Sequence, residues 1–225
     1  MRSSTFSGVF SGIGALFALG FHGWTNATSG SGRIVAQDRP VAPFHGIRLT
    51  GFGTVHVAQG PDHTIRVEAD DNIVDAVTAV VRDGLLVIGL DGSFVNVTVR
   101  VHVSSPRIEE LEITGAGDFV STTPLRSEAL SCRISGAGSM KLTGSVGHLM
   151  VEITGAGSLH GFGLASSKSS VRLSGMGKCE VNVTDDLAAR VSGMGKVVYD
   201  GDPPRVSKAV TGLGAVIRRR AGEGT

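Results

Sequence analysis

The sequence has few aromatic residues and almost no net charge, and both shortages narrow the class of protein. Aromatic side chains make up 5% of the 225 residues, with one tryptophan and one tyrosine. This composition favours a slender core of Val, Ile, Leu, Met and Ala over a globule built around large rings. The 21 basic residues nearly balance the 20 acidic ones, which argues against nucleic acid or an anionic membrane surface as a partner.

A long hydrophobic run is also absent. Residues 9–21 form an apolar stretch of 13 residues, whereas a membrane-spanning helix needs about 20. With Arg2 before the stretch and Ala27 after it, residues 1–27 are predicted to be a signal peptide, and an uncleaved anchor is the alternative. The predicted mature chain has 20 basic and 20 acidic residues. We therefore expect an exported protein, periplasmic or at the cell surface, without stable membrane insertion, and residues 28–33 are predicted to be a flexible leader.

What the sequence does contain is a repeated four-residue word: Ser or Thr, Gly, an apolar residue, and Gly. The seven copies begin at Thr50, Thr114, Ser135, Thr154, Ser174, Ser192 and Thr211. From Gly115 onward the first glycines of successive words are 21, 19, 20, 18 and 19 residues apart. A fixed period near 20 residues is typical of a solenoid.

The flanks of the words repeat as well. Two residues before the first glycine stand Leu49, Ile113, Ile134, Ile153, Leu173, Val191 and Val210. Four residues before it stand Ile47, Leu111, Cys132, Val151, Val171, Ala189 and Lys208. Four residues after it stand Val55, Phe119, Met140, Leu159, Cys179, Val197 and Val216. These columns are apolar except at Lys208, and the residues between them are mostly polar.

Such alternation predicts a strand before and a strand after each word. The glycines then mark a corner, because glycine tolerates both positive φ and close backbone approach. Stacking equivalent strands in parallel buries each apolar column on its own copies. The sequence therefore predicts an all-β, single-domain parallel β-helix of about 20 residues per coil, right-handed because parallel crossovers almost always are.

The predicted β-helix domain covers residues 34–218, with an irregular capping region to about residue 104, regular coils from about residue 107, and a C-terminal tail at 219–225. The first glycines of the first two words are 64 residues apart, about three more periods, so roughly nine or ten coils are expected. Residues 70–81 have near-helical apolar spacing, with Asp71 or Asn72 as a predicted N-cap. We expect the irregular region to cover the first edge of the stack.

Two cysteines in an exported protein raise the question of a disulfide. Cys132 and Cys179 occupy different inward columns and lie two coils apart, about 10 Å along the axis. A disulfide needs Cα atoms within about 7 Å. Both are therefore predicted to be buried free thiols.

No catalytic, cofactor-binding or metal-binding residue is predicted. Three residues before the first glycine stand Arg48, Glu112, Arg133, Glu152, Arg172, Arg190 and Ala209, a column that predicts surface ion pairs between coils. The word at Gly136 lacks the spacing of a phosphate-binding loop, and Asp118 is the only acid in the column that would bind calcium. Six histidines follow the predicted signal, namely His45, His56, His63, His102, His148 and His160, and none has metal-ligand spacing.

The chain resembles the head GIN domain family of putative auto-transporter adhesins, which are exported bacterial β-helix proteins. The residues that carry the resemblance are 44–47, 51–57, Gln59-Gly60, 67–72, 83–88 and the later Gly-Ala-Gly corners, and it extends over about residues 34–218. The resemblance implies a right-handed parallel β-helix outside the cytoplasm and supplies no catalytic residues.

Three functions follow as hypotheses. The first is a non-enzymatic protein of the cell envelope whose solenoid face binds a glycan or an envelope protein. The second is a structural protein that assembles end to end, which Lys208 and the arginines at 218–220 disfavour because they place charge on the last coil. The third is an unusual carbohydrate-active enzyme, which would need clustered acid and base groups on one face.

Overall fold

The computed structural model describes residues 27–219, and its regular structure is almost entirely β-strand. Within that range no helix is long and apolar enough to cross a bilayer. The predicted signal peptide at 1–27 and tail at 219–225 lie outside the described residues, except for Ala27 and Arg219.

Each coil of the solenoid consists of a strand, a corner at the repeated word, and a second strand. The strands before the corners are β3 (Gly46–Leu49), β10 (Glu110–Ile113), β12 (Leu125–Ile134), β14 (Gly144–Ile153), the second halves of β15 (Ala156–Leu173) and β16 (Lys178–Val191), and β18 (Arg205–Val210). The strands after the corners are β4 (Phe52–Gln59), β11 (Ala116–Ser121), β13 (Ala137–Lys141), the first halves of β15 and β16, β17 (Lys196–Asp200) and β19 (Ala215–Arg218).

Equivalent strands of successive coils pair in parallel and in register. Ile134, for example, has Ile113 as its partner on one side and Ile153 on the other. The apolar columns therefore stack residue upon residue, as the periodicity predicts, and a parallel β-solenoid is confirmed.

The number of coils differs from the expectation. The corner at Gly51 lies directly beside the corner at Gly115, because β3 pairs with β10 and β4 pairs with β11. Residues 60–109 leave the stack and return on the other side of β3 and β4, so they add no coil between the two corners. About five turns run from Gly115 to Gly212, and the estimate of nine or ten coils is wrong.

The excursion forms a cap over the first edge of the stack. Its strands are β5 (Thr64–Asp70), β6 (Val77–Arg82), β7 (Leu85–Leu90), β8 (Phe94–Val95) and β9 (Val99–Ser105), with β2 (Ile34–Arg39) at its outer side. β7 and β9 pair in parallel with β3 and β4, whereas the pairs β6–β7, β5–β9 and β2–β5 are antiparallel. The cap covers the N-terminal edge, as expected.

The helix predicted at residues 70–81 is wrong. Only a three-residue 3-10 turn, Val74–Ala76, is present there, and its N-cap is Ile73 without a side-chain hydrogen bond. Residues 77–82 form β6 instead, because a β-branched segment packs well on a pleated sheet and pairs with β7.

The segment 28–33, expected to be a flexible leader, contacts the cap. Its first two residues form β1 (Thr28–Ser29), which pairs with β8. The Asn72 side chain donates to the carbonyl of Ser29 at 2.9 Å, and the Gly32 amide donates to Asp70 at 2.7 Å.

The three apolar columns are buried along the whole stack and become exposed only at its C-terminal end. Ile113, Ile134 and Ile153 are at most 1% exposed, whereas Val210 in the last coil is 43% exposed. The two cysteines are buried and free, as predicted. Burial raises the pKa of the Cys132 thiol to about 12 and raises that of Cys179 as well.

Candidate functional site

The charged column that precedes the corners stacks in register on the outside of the solenoid. Arg48 Nε lies 2.6 Å from Glu112 Oε2. Arg133 is the register partner of Glu112 on β10. Its guanidinium nevertheless binds Glu110, which lies two residues before Glu112 on β10. Arg133 Nε also lies 3.8 Å from Glu152. The stacking of the column is therefore confirmed. Arg133 pairs with Glu110, which is outside the column, and with Glu152 of the column, but not with its neighbour Glu112.

The ion pairs do not continue towards the C-terminus. Arg172 lies between Glu152 and Arg190 in the strand register. In the described part of the chain, neither Arg172 nor Arg190 has a carboxylate within ion-pair distance. Two guanidinium groups at strand spacing repel each other, so this part of the face favours an anionic group from outside.

Two shallow grooves run along the same outward face and join at Glu152 and Arg172. The first, of about 340 Å³, is lined by Ser131, Arg133, His148, Met150, Val151, Glu152, Ser170 and Arg172. The second, of about 320 Å³, is lined by Glu152, Arg172, Leu173, Ser174, Arg190, Val191, Ser192, Ala209 and Thr211. Because they share these two residues, the two grooves are together called the trough. It crosses several coils and is lined by hydroxyl and guanidinium groups and by Met150, which is 38% exposed.

The trough does not have the groups that glycoside hydrolysis needs. Glu152 is the only carboxylate that lines either groove, and Arg133 is beside it. Acid–base cleavage of a glycosidic bond normally uses two carboxyl groups within about 5–9.5 Å of one another across the substrate. The trough can therefore hold a ligand by hydrogen bonds and charge, but it has no pair of carboxylates for cutting one.

The structure brings together two histidines that lie far apart in the sequence. His56 on β4 stacks on His102 on β9, with ring centroids 4.8 Å apart and planes at 15°. Each lies in the same tripeptide, Val-His-Val, at 55–57 and 101–103, and that identity is the signal that could have revealed the pairing. Partial burial, followed by the positive charges of His102 and Arg100, lowers the pKa of His56, and the opposing effect of Glu68 is smaller.

A second histidine contact lies in the regular coils. His160 Nδ1 is 3.1 Å from Glu180, which also binds Lys178. Burial alone would raise the pKa of Glu180, but the hydrogen bonds from Lys178 and His160 lower it below its ordinary value. Glu180 is buried, at 8% exposure, and Lys178 compensates its charge.

The other candidates singled out in the sequence have structural partners. Asp118 accepts hydrogen bonds from the amide and hydroxyl of Ser139, at 3.0 and 2.6 Å. The corner at Gly136 stacks on the corner at Gly115 through an amide–carbonyl bond of 3.1 Å from Ala137. In the range 27–219, no three His, Cys, Asp or Glu side chains are grouped as metal ligands.

Three solved structures from bacteria have folds similar to that of this chain. A putative adhesin from Bacteroides fragilis is 21% identical, with a TM-score of 0.72, over 86% of this chain and 100% of its own. A putative adhesin from Parabacteroides merdae is 21% identical, with a TM-score of 0.53, over 87% and 100%. A protein of Parabacteroides distasonis described as a putative lipid binding protein is 18% identical, with a TM-score of 0.53, over 86% and 100%. At these identities the likeness shows the fold alone.

No curated protein matches this sequence. The model of the family described as "Putative auto-transporter adhesin, head GIN domain" matches residues 43–203, which is more than half of the chain. The resemblance found in the corner glycines and the N-terminal strands is thus confirmed, and the chain belongs to the head GIN domain family.

Proposed function

We propose that this chain is an exported, non-catalytic protein of the bacterial cell envelope that binds a glycan through the trough on its charged face. The observation that carries the proposal is the trough itself, in which Arg172 and Arg190 have no acidic partner in the described structure. An envelope protein with an acidic surface is the alternative ligand. The family description supports an adhesin-type role.

A repeating face suits a repeating ligand. Successive coils present equivalent side chains about 4.8 Å apart, so an extended polymer can repeat the same contact from coil to coil. Hydroxyl groups of Ser131, Ser170 and Ser192 offer hydrogen bonds to sugar hydroxyls, and Met150 offers an apolar surface to a sugar ring. The planar guanidinium of Arg172 or Arg190 binds a carboxylate in two-point fashion, which favours an acidic glycan over a neutral one.

The test is binding of polygalacturonate, with dextran as the neutral polymer, measured by isothermal titration calorimetry. We expect binding to polygalacturonate, weakened about tenfold in Arg172→Gln, because a charge-assisted hydrogen bond contributes roughly 1.5–3 kcal/mol. Arg126→Gln is the matched control, since Arg126 is exposed on the same strand, β12, as the trough residue Arg133 but does not line the trough. Equal affinity of the two variants, or equal binding of both polymers, would contradict the proposal.

The alternative that the chain is an enzyme is tested with the same two polymers, polygalacturonate and dextran. If the chain cuts a glycan, Glu152→Gln should abolish the appearance of new reducing ends. It should change the free energy of unfolding in urea by no more than about 1 kcal/mol, the contribution of an exposed ion pair. We expect no turnover in either protein. A cleavage activity that this substitution removes would replace the binding function with a hydrolase or lyase function.

A further inference from the structure

The last three corners present large apolar side chains to solvent. The middle residue of the repeated word is Met176, Met194 and Leu213 in these corners, and the side chains are 58%, 61% and 86% exposed. At the three preceding corners the same position holds Ala116, Ala137 and Ala156. Because equivalent residues of successive coils lie about 4.8 Å apart, the three large side chains form one convex line, called the corner ridge.

Cations flank the corner ridge where its residues are methionine. Met176 lies between Arg172 and Lys178, and Met194 lies between Arg190 and Lys196. The flanking residues are partners in the register, Arg172 with Arg190 and Lys178 with Lys196, so the cations form one row on each side of the ridge.

The alanine corners have different flanks. Ala156 lies between Glu152 and Ser158, and Ala116 lies between Glu112 and Asp118. Ala137 lies between Arg133 and Ser139, and Leu213 lies between Ala209 and Ala215. Among the seven corners, only the two with methionine therefore have a basic residue on both sides. Lys178 is paired with Glu180, whereas Arg172, Arg190 and Lys196 form no ion pair in the described structure.

We propose that the corner ridge docks the protein on a lipid bilayer that contains anionic headgroups. A convex line of flexible apolar side chains offers no cavity to a small ligand, but it can enter the soft boundary between headgroups and acyl chains. The flanking arginines and lysines then meet the lipid phosphates. The near-zero net charge argues against attraction of the whole chain to an anionic surface, as stated above. A local contact depends instead on the charges within about a Debye length of the membrane, and these are the cations beside the ridge.

This contact is separate from glycan binding in the trough. It requires Met176, Met194 and Leu213, which do not line either groove. The first residues of the same three words, Ser174, Ser192 and Thr211, do line the second groove, as do Arg172 and Arg190. The experiment therefore uses only the ridge residues and Lys196.

The first measurement is fluorescence of the full chain in a Trp24→Phe background, which removes the only tryptophan. Leu213→Trp is the ridge probe, and Ala137→Trp is the matched control at an equivalent corner. With vesicles of equimolar phosphatidylglycerol and phosphatidylcholine, we expect a blue shift of the emission and quenching by brominated acyl chains at residue 213 only. Vesicles of phosphatidylcholine alone should give a much smaller shift.

The second measurement is partition of the full chain onto the same vesicles by sedimentation. The double variant Met176→Ser and Met194→Ser should lower the partition coefficient about tenfold or more, as expected for losing buried CH₂ groups from the interface. Lys196→Gln should lower it about fivefold on the anionic vesicles and leave it unchanged on the neutral ones. Residues 9–21 contribute equally to every protein compared, so the differences report the ridge, and thermal melting verifies that each variant is folded.

Equal shifts at residues 137 and 213, or no shift at residue 213 with either vesicle, would overturn the proposal. A blue shift of the Leu213→Trp protein that depends on protein concentration and needs no vesicle would assign the ridge to a second copy of the chain instead, and would also overturn it. Polygalacturonate binding is read separately on the same variants, so failure at the membrane is distinguishable from failure of the trough.

Discussion

The corner glycines are explained at the scale of the residue by close stacking of the backbone. Only Gly53 and Gly212 among them have φ in the left-handed region, at 118° and 112°. At Gly136 and Gly155, an added Cβ would overlap the carbonyl oxygen of the corner glycine one coil earlier. Glycine is therefore required at these corners mainly because successive corners approach each other too closely for any side chain.

Gly136→Ala should destabilise the fold by about 3 kcal/mol, because the new methyl group meets rigid backbone and the coils must separate to admit it. The measurement is the free energy of unfolding in urea. Ala137→Ser, one residue along in the same corner, is the control and should change stability by less than about 0.5 kcal/mol because its side chain is exposed. Similar stabilities for the two variants would mean that the corners are not closely stacked.

The His56–His102 stack gives a pH dependence whose sign follows from the lowered pKa of His56. As the pH falls below the ordinary histidine value of 6.5, the unfolded chain binds a proton before the folded chain does, so stability should fall with pH. We expect the free energy of unfolding of the wild type to drop between about pH 7 and pH 5.5, and His56→Gln to reduce that drop. His102→Gln removes a neighbouring positive charge and should reduce it too. Identical pH profiles of wild type and His56→Gln would contradict the assignment.

At the scale of the element, each strand is held by the apolar column that it shares with its neighbours. Ile153 lies between Ile134 and Leu173 in the register and is fully buried. The adjacent residue on the strand, Glu152, points outward and is exposed. Substitutions at Ile153 should therefore affect folding strongly, whereas the adjacent position, Glu152, should tolerate them.

Ile153→Ala should cost about 2–5 kcal/mol, since it removes buried methyl and methylene groups and leaves a cavity. Ile153→Asp should abolish cooperative unfolding, because it places an unpaired charge between two apolar neighbours. Chemical denaturation followed by circular dichroism measures both. Glu152→Ala is the control on the outward side and should cost no more than about 1 kcal/mol; a comparable loss there would reverse the assignment of the two faces.

At the scale of the whole molecule, the two ends of the solenoid differ. The N-terminal edge is covered by antiparallel strands, whereas every residue of β18 is exposed at the C-terminal edge. Lys208 occupies an inward column there, with its Nζ 4.7 Å from the ring centroid of Tyr199 and 3.4 Å from the carbonyl oxygen of Val216. An inward-pointing charge on an edge strand opposes pairing with another chain. Lys208 therefore disfavours the alternative function, in which the protein assembles end to end.

Lys208→Val should increase self-association, because it completes an apolar column at an open strand edge and removes the charge that two copies would have to bury together. Sedimentation velocity over a range of protein concentrations measures the effect. Lys208→Arg preserves the charge and should behave as the wild type. Assembly of the wild type into long polymers would instead support the structural function and contradict the role given to Lys208.

The repeat could be read from the sequence because it is local: a 20-residue period and strict alternation assign each residue to the inside or the outside without knowledge of the rest of the chain. The three apolar columns, the buried thiols of Cys132 and Cys179 and the stacked charged face were all predictable on this basis. Comparison of the seven words also shows the large apolar residues of the corner ridge, but it does not show that their side chains are exposed.

The tertiary structure alone decided where the irregular segment goes. The 64 residues from Gly51 to Gly115 could equally have formed three coils by their length, and residues 70–81 could have formed a helix by their spacing. Pairing between strands far apart in sequence chose otherwise: β6 with β7, β9 with β4, and β10 with β3. The same non-local pairing stacked His56 on His102 and left Arg172 beside Arg190. The alternation within each strand determines which residues point inward, but hydrogen bonds between strands determine which coil lies next to which.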